Sequence, residues 1–284
     1  MSLDSETQVY GVMGDPIEHS LSPLIHNAAF KHFGLNAVYL PFHVRPEALG
    51  LAFEGIRAFE MKGVNLTIPF KQTAIEFVDE IPEDLDKVTG AINTVVNRGG
   101  QLYGYNTDGV GFLTSLQEDL SFDPEGKTVL LLGAGGSACG VVFALARTHA
   151  ECIYIFNRTH ERALGLTDFA QPYFPETEIR ALGSLEEVFS EKIDLVVNTT
   201  SCGMKGNGGS PMDLKKLTHK ASVYDLVYSP LETPLLKSAK ALGWPAANGL
   251  GMLAAQAALS FELWTGEKEG VRNVMREALK KCFH

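Results

Sequence analysis

The stretch Val129 to Arg147, VLLLGAGGSACGVVFALAR, constrains the fold more than any other part of the chain. Four consecutive apolar residues, too few for a helix, run into Gly133-Ala134-Gly135-Gly136-Ser137-Ala138 and then into an apolar segment of helical period. That order predicts strand, tight turn and helix. In this G-x-G-x-x-A pattern Gly133 permits the sharp turn and Gly135 lets backbone amides approach a pyrophosphate. Ala138 is small enough for the helix to pack closely on its strand. Phosphate then rests on the helix N-terminus, against residues Gly133, Ala134, Gly135, Gly136 and Ser137.

The pattern alone is a weak signal, so its flanks decide. A second β-rich run, Cys152 to Phe156, follows at the distance a βαβ unit requires and ends in Asn157-Arg158-Thr159. A site for NAD places an Asp or Glu about there to accept from the ribose 2'-hydroxyl. None is present. Arg158 offers instead a planar cation suited to a 2'-phosphate, with Thr159 and Arg162 beside it, which points to NADP. The competing explanation is a capping Thr159 and a solvated Arg158.

The chain has 284 residues, 45% hydrophobic and 20% charged, enough for one large or two ordinary globular domains. A net charge of -10 argues against a nucleic-acid or anionic-membrane surface. No apolar run has the length of a membrane span, and MSLDSETQ lacks the basic start and apolar core of a signal peptide. The cysteines at 139, 152, 202 and 282 form no C-x-x-C, so reduced thiols and a cytoplasmic location are expected. The histidines show no metal-ligand spacing, and no metal is expected.

Ahead of the glycine turn the elements alternate. Val9 to Gly14 reads as a strand, Ser22-Pro23 as N-cap and first residue of a helix, and Ala37 to Val44 as a strand. Pro46 to Phe59 reads as a helix and Gly63 to Leu66 as a third strand, predicting a parallel or mixed α/β sheet. Ser20 and Ser22 place two hydroxyls at one helix start, either as caps or as a seat for a carboxylate. In Asn65-Leu66-Thr67-Ile68-Pro69-Phe70-Lys71, Pro69 is expected to open a helix with Lys71 in its first turn. A cation is unfavourable there, which would ease its loss of a proton and suit it to acid–base work; the alternative is a lysine reaching out to solvent. Ala91 to Val96 and Gln101 to Tyr105 read as a hairpin about Gly99-Gly100. The hairpin delivers Asn106-Thr107-Asp108, where Asp108 is either a helix cap or an exposed carboxylate able to bond a hydroxyl and hold the lysine.

Beyond the glycine turn, Ile193 to Val197 is a parallel-type strand whose end, Asn198-Thr199-Thr200, suits contact with a dinucleotide. Gly206 to Pro211 reads as a loop and Val223 to Val227 as a strand. Leu250 to Trp264 is apolar almost all round and therefore a buried helix, in which Gln256 must find either a backbone partner or ligand hydroxyls. The tail, Val271 to Phe283, is amphipathic and is expected to pack on the first domain.

Taken together, Ser20-x-Ser22, Asn65-x-Thr67-x-Pro69-x-Lys71, Asn93-Thr94, Asn106-Thr107-Asp108, the glycine turn with Asn157-Arg158-Thr159, Asn198-Thr199-Thr200-x-x-Gly203-Met204 and Asn248-Gly249-Leu250-Gly251-Met252-Leu253-x-x-Gln256 resemble the shikimate dehydrogenases. The resemblance runs over nearly the whole chain, in that family's order and spacing. It implies two α/β domains, a substrate domain of residues 1–112 and 241–284 and a Rossmann-type NADP domain of residues 113–240, with the active site in the cleft between them. It implies NADPH-dependent, reversible reduction of 3-dehydroshikimate to shikimate on the route to chorismate. Ser20 and Ser22 would hold the carboxylate with help from Tyr228, and Thr67, Asn93, Asp108 and Gln256 would position ring hydroxyls. Lys71 would protonate the carbonyl oxygen with Asp108 supporting it, while Thr200, Leu226 and Gly249 would join the turn residues around the cofactor. A monomer or homodimer acting on a small molecule, without nucleic acid or membrane, is implied as well. Three rivals remain: a quinate-using or dual-specificity relative, a methylenetetrahydrofolate-type dehydrogenase, and a non-catalytic NADP sensor.

Overall fold

The computed structural model describes residues 3–204 and 207–283, so Gly206, where the expected loop begins, lies outside the described residues. The chain forms two compact units. One is built from the chain through Gly111 together with Leu253 onward, and the other spans Phe112–Met252.

In the first unit the elements are β1 (Gln8–Gly14), α1 (Ser22–His32), β2 (Ala37–His43), α2 (Leu49–Ala58), β3 (Gly63–Leu66), α3 (Asp84–Thr89), β4 (Thr94–Arg98) and β5 (Gln101–Tyr105). They build one sheet in the order β2-β1-β3-β4-β5. The first three strands are parallel, while β4 and β5 form the antiparallel hairpin that Gly99-Gly100 allows. The sheet is therefore mixed. On one face Phe53 and Ile56 of α2 bury Val64 and Val95. A separate aromatic layer joins Tyr10 to Phe30 at 5.0 Å between ring centroids and Phe30 to Phe261 at 5.0 Å. The amphipathic tail forms α9 (Val271–Cys282) and packs on α1, as its pattern demands.

The second unit contains β6 (Thr128–Leu132), α5 (Gly136–Arg147), β7 (Cys152–Phe156), α6 (His160–Ala170), β8 (Glu178–Leu182), β9 (Leu195–Asn198), β10 (Ser222–Asp225), α7 (Pro234–Ala241) and β11 (Ala246–Asn248). Its sheet is wholly parallel, in the order β11-β10-β9-β6-β7-β8. The strand order reverses between β6 and β9, the place where open α/β sheets bind ligands. Val129 to Leu131 are completely buried, which explains why this strand reads as a continuous apolar run.

Three expectations are corrected. The second sheet continues to β11, because Ala246 to Asn248 pair with Val223 to Asp225; the second unit therefore ends at Met252 and not at residue 240. Pro46 opens a short 3-10 segment, Pro46–Ala48, and the α-helix starts only at Leu49. No α-helix starts at Pro69: residues 68–72 form a turn, followed by a 3-10 segment, Thr73–Phe77. Two further helices complete the element list, α4 (Asp108–Leu120) and α8 (Leu250–Thr265). Among the described residues no helix is long and apolar enough to cross a membrane.

Candidate active site

In the first unit, polar side chains gather where β3, β4, β5, α4 and α8 meet. Lys71 leaves the turn after β3, Asp108 is the first residue of α4, and Lys71 Nζ lies 2.5 Å from Asp108 Oδ2. Both are largely sheltered, with side chains 22% and 13% exposed. The electrostatic partner of the lysine is thus a carboxylate and not a helix N-terminus. Asp108 is correspondingly less exposed than its sequence context suggests. Its backbone amide is capped by Asn106 Oδ1 at 3.1 Å.

The second oxygen of that carboxylate is also engaged. Asn93 Nδ2 donates to Asp108 Oδ1 at 2.9 Å, with Thr107 Oγ1 at 2.9 Å and Gln256 Oε1 at 3.3 Å around the same nitrogen. Asn93 Oδ1 accepts the Thr107 backbone N–H at 2.9 Å. A backbone amide can only donate, so this bond fixes which end of the Asn93 amide faces Asp108. Gln256 finds its other partner in the Leu253 carbonyl at 2.9 Å. It can approach because Gly111 stands opposite: a Cβ at 111 would lie 2.7 Å from Gln256 Cβ.

At the start of α1 the geometry differs from the expected cap. Leu21 holds the N-cap position without a side-chain bond, and Ser20 Oγ accepts the Ser22 N–H at 3.3 Å. Ser22 is buried, and so is the Tyr39 phenol on β2. Burial pushes that phenol well above the ordinary tyrosine range. The Thr67 hydroxyl, at the end of β3, has no hydrogen-bond partner among the described residues, and the Thr67 backbone N–H donates to Met13 O at 3.0 Å.

In the second unit the glycine turn joins β6 to α5. Gly133 has φ +113, and a Cβ there would lie 2.6 Å from Thr199 Oγ1, so both its conformation and its surroundings require glycine. Gly135 is the N-cap of α5, and neither Gly135 nor Gly136 has an atom within 4 Å of the position a Cβ would take. Both residues are exposed at the N-terminus of a twelve-residue helix, and among the described residues their amides have no hydrogen-bond partner, which fits a pyrophosphate. Ala138 is completely buried, as close packing of α5 on the sheet requires. Asn157 ties the turn to β7: its Oδ1 accepts from the Ala134 N–H at 3.2 Å and its Nδ2 donates to Thr159 O at 2.8 Å. Arg158, Thr159 and Arg162 are exposed; neither guanidinium has a partner among the described residues, and Thr159 sits at the N-cap of α6 without a capping bond.

The remaining expected cofactor positions follow the ends of three neighbouring strands, β9, β10 and β11, with one buried carboxylate at the end of β10. Asp225 accepts Asn198 Nδ2 at 2.8 Å, Thr233 Oγ1 at 2.6 Å and the Val227 N–H at 3.1 Å. Burial still raises its pKa, against the effect of those donors. Asn198 Oδ1 in turn accepts Thr200 Oγ1 at 2.6 Å. Leu226 and Tyr228 follow Asp225, the Gly249 N–H bonds Val227 O at 3.3 Å, and burial raises the Tyr228 phenol. Asp225 and Thr233 were missed by sequence reasoning, although an aspartate at the end of an apolar strand is itself an anomaly that could have drawn notice. Asn65 and Thr94 stood in the quoted motifs without a role of their own, and Ser260 was missed.

A lysine paired with a carboxylate in one unit, and in the other a doubly wound sheet with a glycine turn and an exposed arginine past its second strand, define a dinucleotide-dependent oxidoreductase. Comparison with known proteins narrows this class. Residues 12–95 match the model of the shikimate dehydrogenase substrate binding domain, 116–205 the shikimate/quinate 5-dehydrogenase model, and 249–280 the shikimate 5'-dehydrogenase C-terminal domain. A shikimate dehydrogenase (NADP(+)) of Geobacter sp. (strain M21) is 44% identical over 94% of this chain and 92% of its own. The crystal structure of a shikimate dehydrogenase in complex with NADP+ superposes with a TM-score of 0.91 at 37% identity, covering 100% of this chain and 98% of that one. A quinate dehydrogenase from Corynebacterium glutamicum, in complex with NAD, gives a TM-score of 0.89 at 30% identity over 97% and 99%. The chain belongs to the shikimate dehydrogenase family.

Proposed function

We propose that this protein catalyses the reversible, NADP-dependent oxidation of shikimate to 3-dehydroshikimate, the reduction being the biosynthetic direction toward chorismate. The observation that carries the chemistry is the Lys71–Asp108 pair, sheltered and framed by Asn93 and Gln256. In the reductive direction the Lys71 ammonium gives a proton to the carbonyl oxygen as negative charge develops there; in the oxidative direction Lys71 takes that proton back. Asp108 holds the lysine and accepts from a ring hydroxyl. Ser20 and Ser22 receive the carboxylate, while Thr67, Asn93 and Gln256 complete the set around the ring.

NADP supplies the hydride acceptor in oxidation and the hydride donor in reduction. Gly133 to Ser137 would hold its pyrophosphate, Arg158 with Thr159 and Arg162 its 2'-phosphate, and Asn157, Thr200, Leu226 and Gly249 the remainder. The exposed Gly135 and Gly136 amides and the exposed Arg158 guanidinium, all without partners among the described residues, support that reading. The residues assigned to the chemistry imply no metal, because the lysine carries the positive charge. The reaction belongs to the cytoplasm, with a small molecule as the partner. Following absorbance as NADP is reduced in the presence of shikimate tests the proposal: turnover supports it, and no turnover with shikimate under conditions that support quinate oxidation would replace it with the quinate reading.

A further inference from the structure

Behind the lysine and aspartate lies a buried polar network that contacts no reacting group. Tyr39 (β2), Asn65 (β3), Thr94 (β4) and Ser260 (α8) are each at most 6% exposed. Asn65 pairs with Thr94 across the two strands, which brings their side chains together. Tyr39 is held from both sides. Asn27 of α1 bonds its backbone N–H at 2.9 Å and its carbonyl at 2.8 Å, and the His26 ring stacks on it at 4.3 Å and 7°.

Counting hydrogens gives this network a direction. Asn65 Nδ2 donates to the Asn93 carbonyl at 3.1 Å, so Asn65 Oδ1 accepts the Tyr39 O–H at 2.8 Å. The second hydrogen of Asn65 Nδ2 reaches Ser260 Oγ at 2.9 Å. Ser260 and Thr94 share a 2.7 Å contact, and Thr94 Oγ1 donates to Asn93 Oδ1 at 3.0 Å. That last direction is forced at its far end, because Asn93 Oδ1 also takes the Thr107 N–H and Asn93 Nδ2 gives to Asp108. Asn65 Nδ2 also lies 3.1 Å from Thr94 Oγ1, and Ser260 Oγ lies 3.1 Å from the Gln256 carbonyl; with the Ser260 hydrogen in the shorter 2.7 Å contact to Thr94, whose own hydrogen goes to Asn93, the donors run one way: Tyr39 to Asn65 to Ser260 to Thr94 to Asn93 to Asp108. Chains of donors in a low-dielectric interior strengthen one another. The chain ends on a carboxylate, which only accepts when ionised.

We propose that Thr94 is a positioning residue, with Ser260, Asn65 and Tyr39 behind it: it fixes the Asn93 amide so that Asp108 is held as the acceptor facing Lys71. The proposal rests on the reading of Lys71 and Asp108 as the proton-handling pair. Thr94→Val keeps the shape and removes the nearer of the two hydroxyls that bond Asn93 Oδ1, at 3.0 Å against 3.2 Å for Thr107 Oγ1. Its kcat for shikimate oxidation is expected to fall about 5- to 20-fold, while KM for NADP and for shikimate stay within about twofold, because the loss is felt in proton transfer more than in binding. Thr94→Ser restores kcat to within about twofold of wild type. Tyr39→Phe, which keeps the ring on His26 and removes only the first donor, lowers kcat about two- to threefold and carries the test if Thr94→Val does not fold.

The decisive comparison repeats these substitutions in an Asp108→Asn background. There neither Thr94→Val nor Tyr39→Phe should lower kcat further, since their effect passes through the carboxylate. Equal fractional losses in both backgrounds, or a fall in melting temperature with kcat unchanged, would reduce Thr94 to a packing residue and overturn the proposal. An Asp108→Asn enzyme with wild-type kcat would instead remove the lysine–aspartate reading itself, and this inference with it.

Discussion

The two units build their candidate sites in opposite ways. In the first, nearly every polar atom near Lys71 and Asp108 is already committed within the protein: both carboxylate oxygens, both ends of Asn93 and both ends of Gln256 have partners. In the second, the exposed Gly135 and Gly136 amides and the exposed Arg158 guanidinium have no partner among the described residues. Chemistry at a carbonyl needs a proton donor held before the substrate arrives, because reorientation in the transition state costs rate. Binding a phosphate needs charge and exposed N–H groups, which backbone and an exposed arginine provide without prior assembly. Substitutions in the first unit should therefore strike kcat, and substitutions in the second should strike cofactor affinity.

The largest effect should come from Lys71→Ala. Loss of a positioned general acid predicts a fall in kcat on the order of 10³-fold with a much smaller change in shikimate affinity, read from steady-state kinetics and a binding titration. Equal losses in kcat and affinity would blur the distinction between the units. Next, Arg158→Ala should weaken NADP binding about 10- to 100-fold while leaving NAD binding nearly unchanged, since charge-assisted bonds contribute roughly 1.5 to 3 kcal/mol each. An unchanged NADP affinity would return Arg158 to the role of a solvated turn residue.

A comparable discrimination is expected between substrates. Quinate is tetrahedral at the carbon bearing its carboxylate and adds a hydroxyl there. A buried hydroxyl without a partner costs about 1 to 3 kcal/mol, or roughly 10- to 100-fold in kcat/KM in favour of shikimate. Ser20→Ala and Ser22→Ala should raise the shikimate KM; if both leave it unaltered, the serines belong to the helix start and not to the substrate.

A smaller effect concerns stability. Burial lowers the His26 pKa to about 3, and neither ring nitrogen has a hydrogen-bond partner among the described residues. The folded value lies below the unfolded value of about 6.5, so the unfolded chain binds the extra proton. The contribution is complete above about pH 6.5 and is lost as pH falls toward 3, which amounts to roughly 2 kcal/mol at pH 5. His26→Phe should remove that dependence without loss of stability at neutral pH, because an unpaired buried N–H is itself a cost. Melting curves of both proteins at pH 7.5 and pH 5 measure the difference.

How much of this was legible in the sequence depends on whether a side chain's role is local. The glycine turn, the β4–β5 hairpin and the amphipathic α9 follow from spacing alone, and each stands where its pattern placed it. Lys71 and Asp108 were read as chemistry-bearing residues, with Asp108 offered as the group that holds the lysine, but the local reason given for Lys71 was a helix that does not form there. Its real partner is 37 residues away, joined by sheet pairing that no local pattern encodes. Ser260 is harder still, since it reaches Asn65 across 195 residues and within its own helix reads as one small polar residue among apolar ones. Similarly, β11 was missed because three residues carry no detectable alternation, and only pairing with β10 makes them a strand.

The central claim is that the proton carrier is a preassembled pair and not a lone lysine. It is tested most directly by measuring kcat for shikimate oxidation in Lys71→Ala, Asp108→Asn and the double variant. If the two residues act as a unit, the double variant loses no more than the worse single variant. A double loss equal to the product of the two single losses would mean that the residues act independently, and the account of this site would fail.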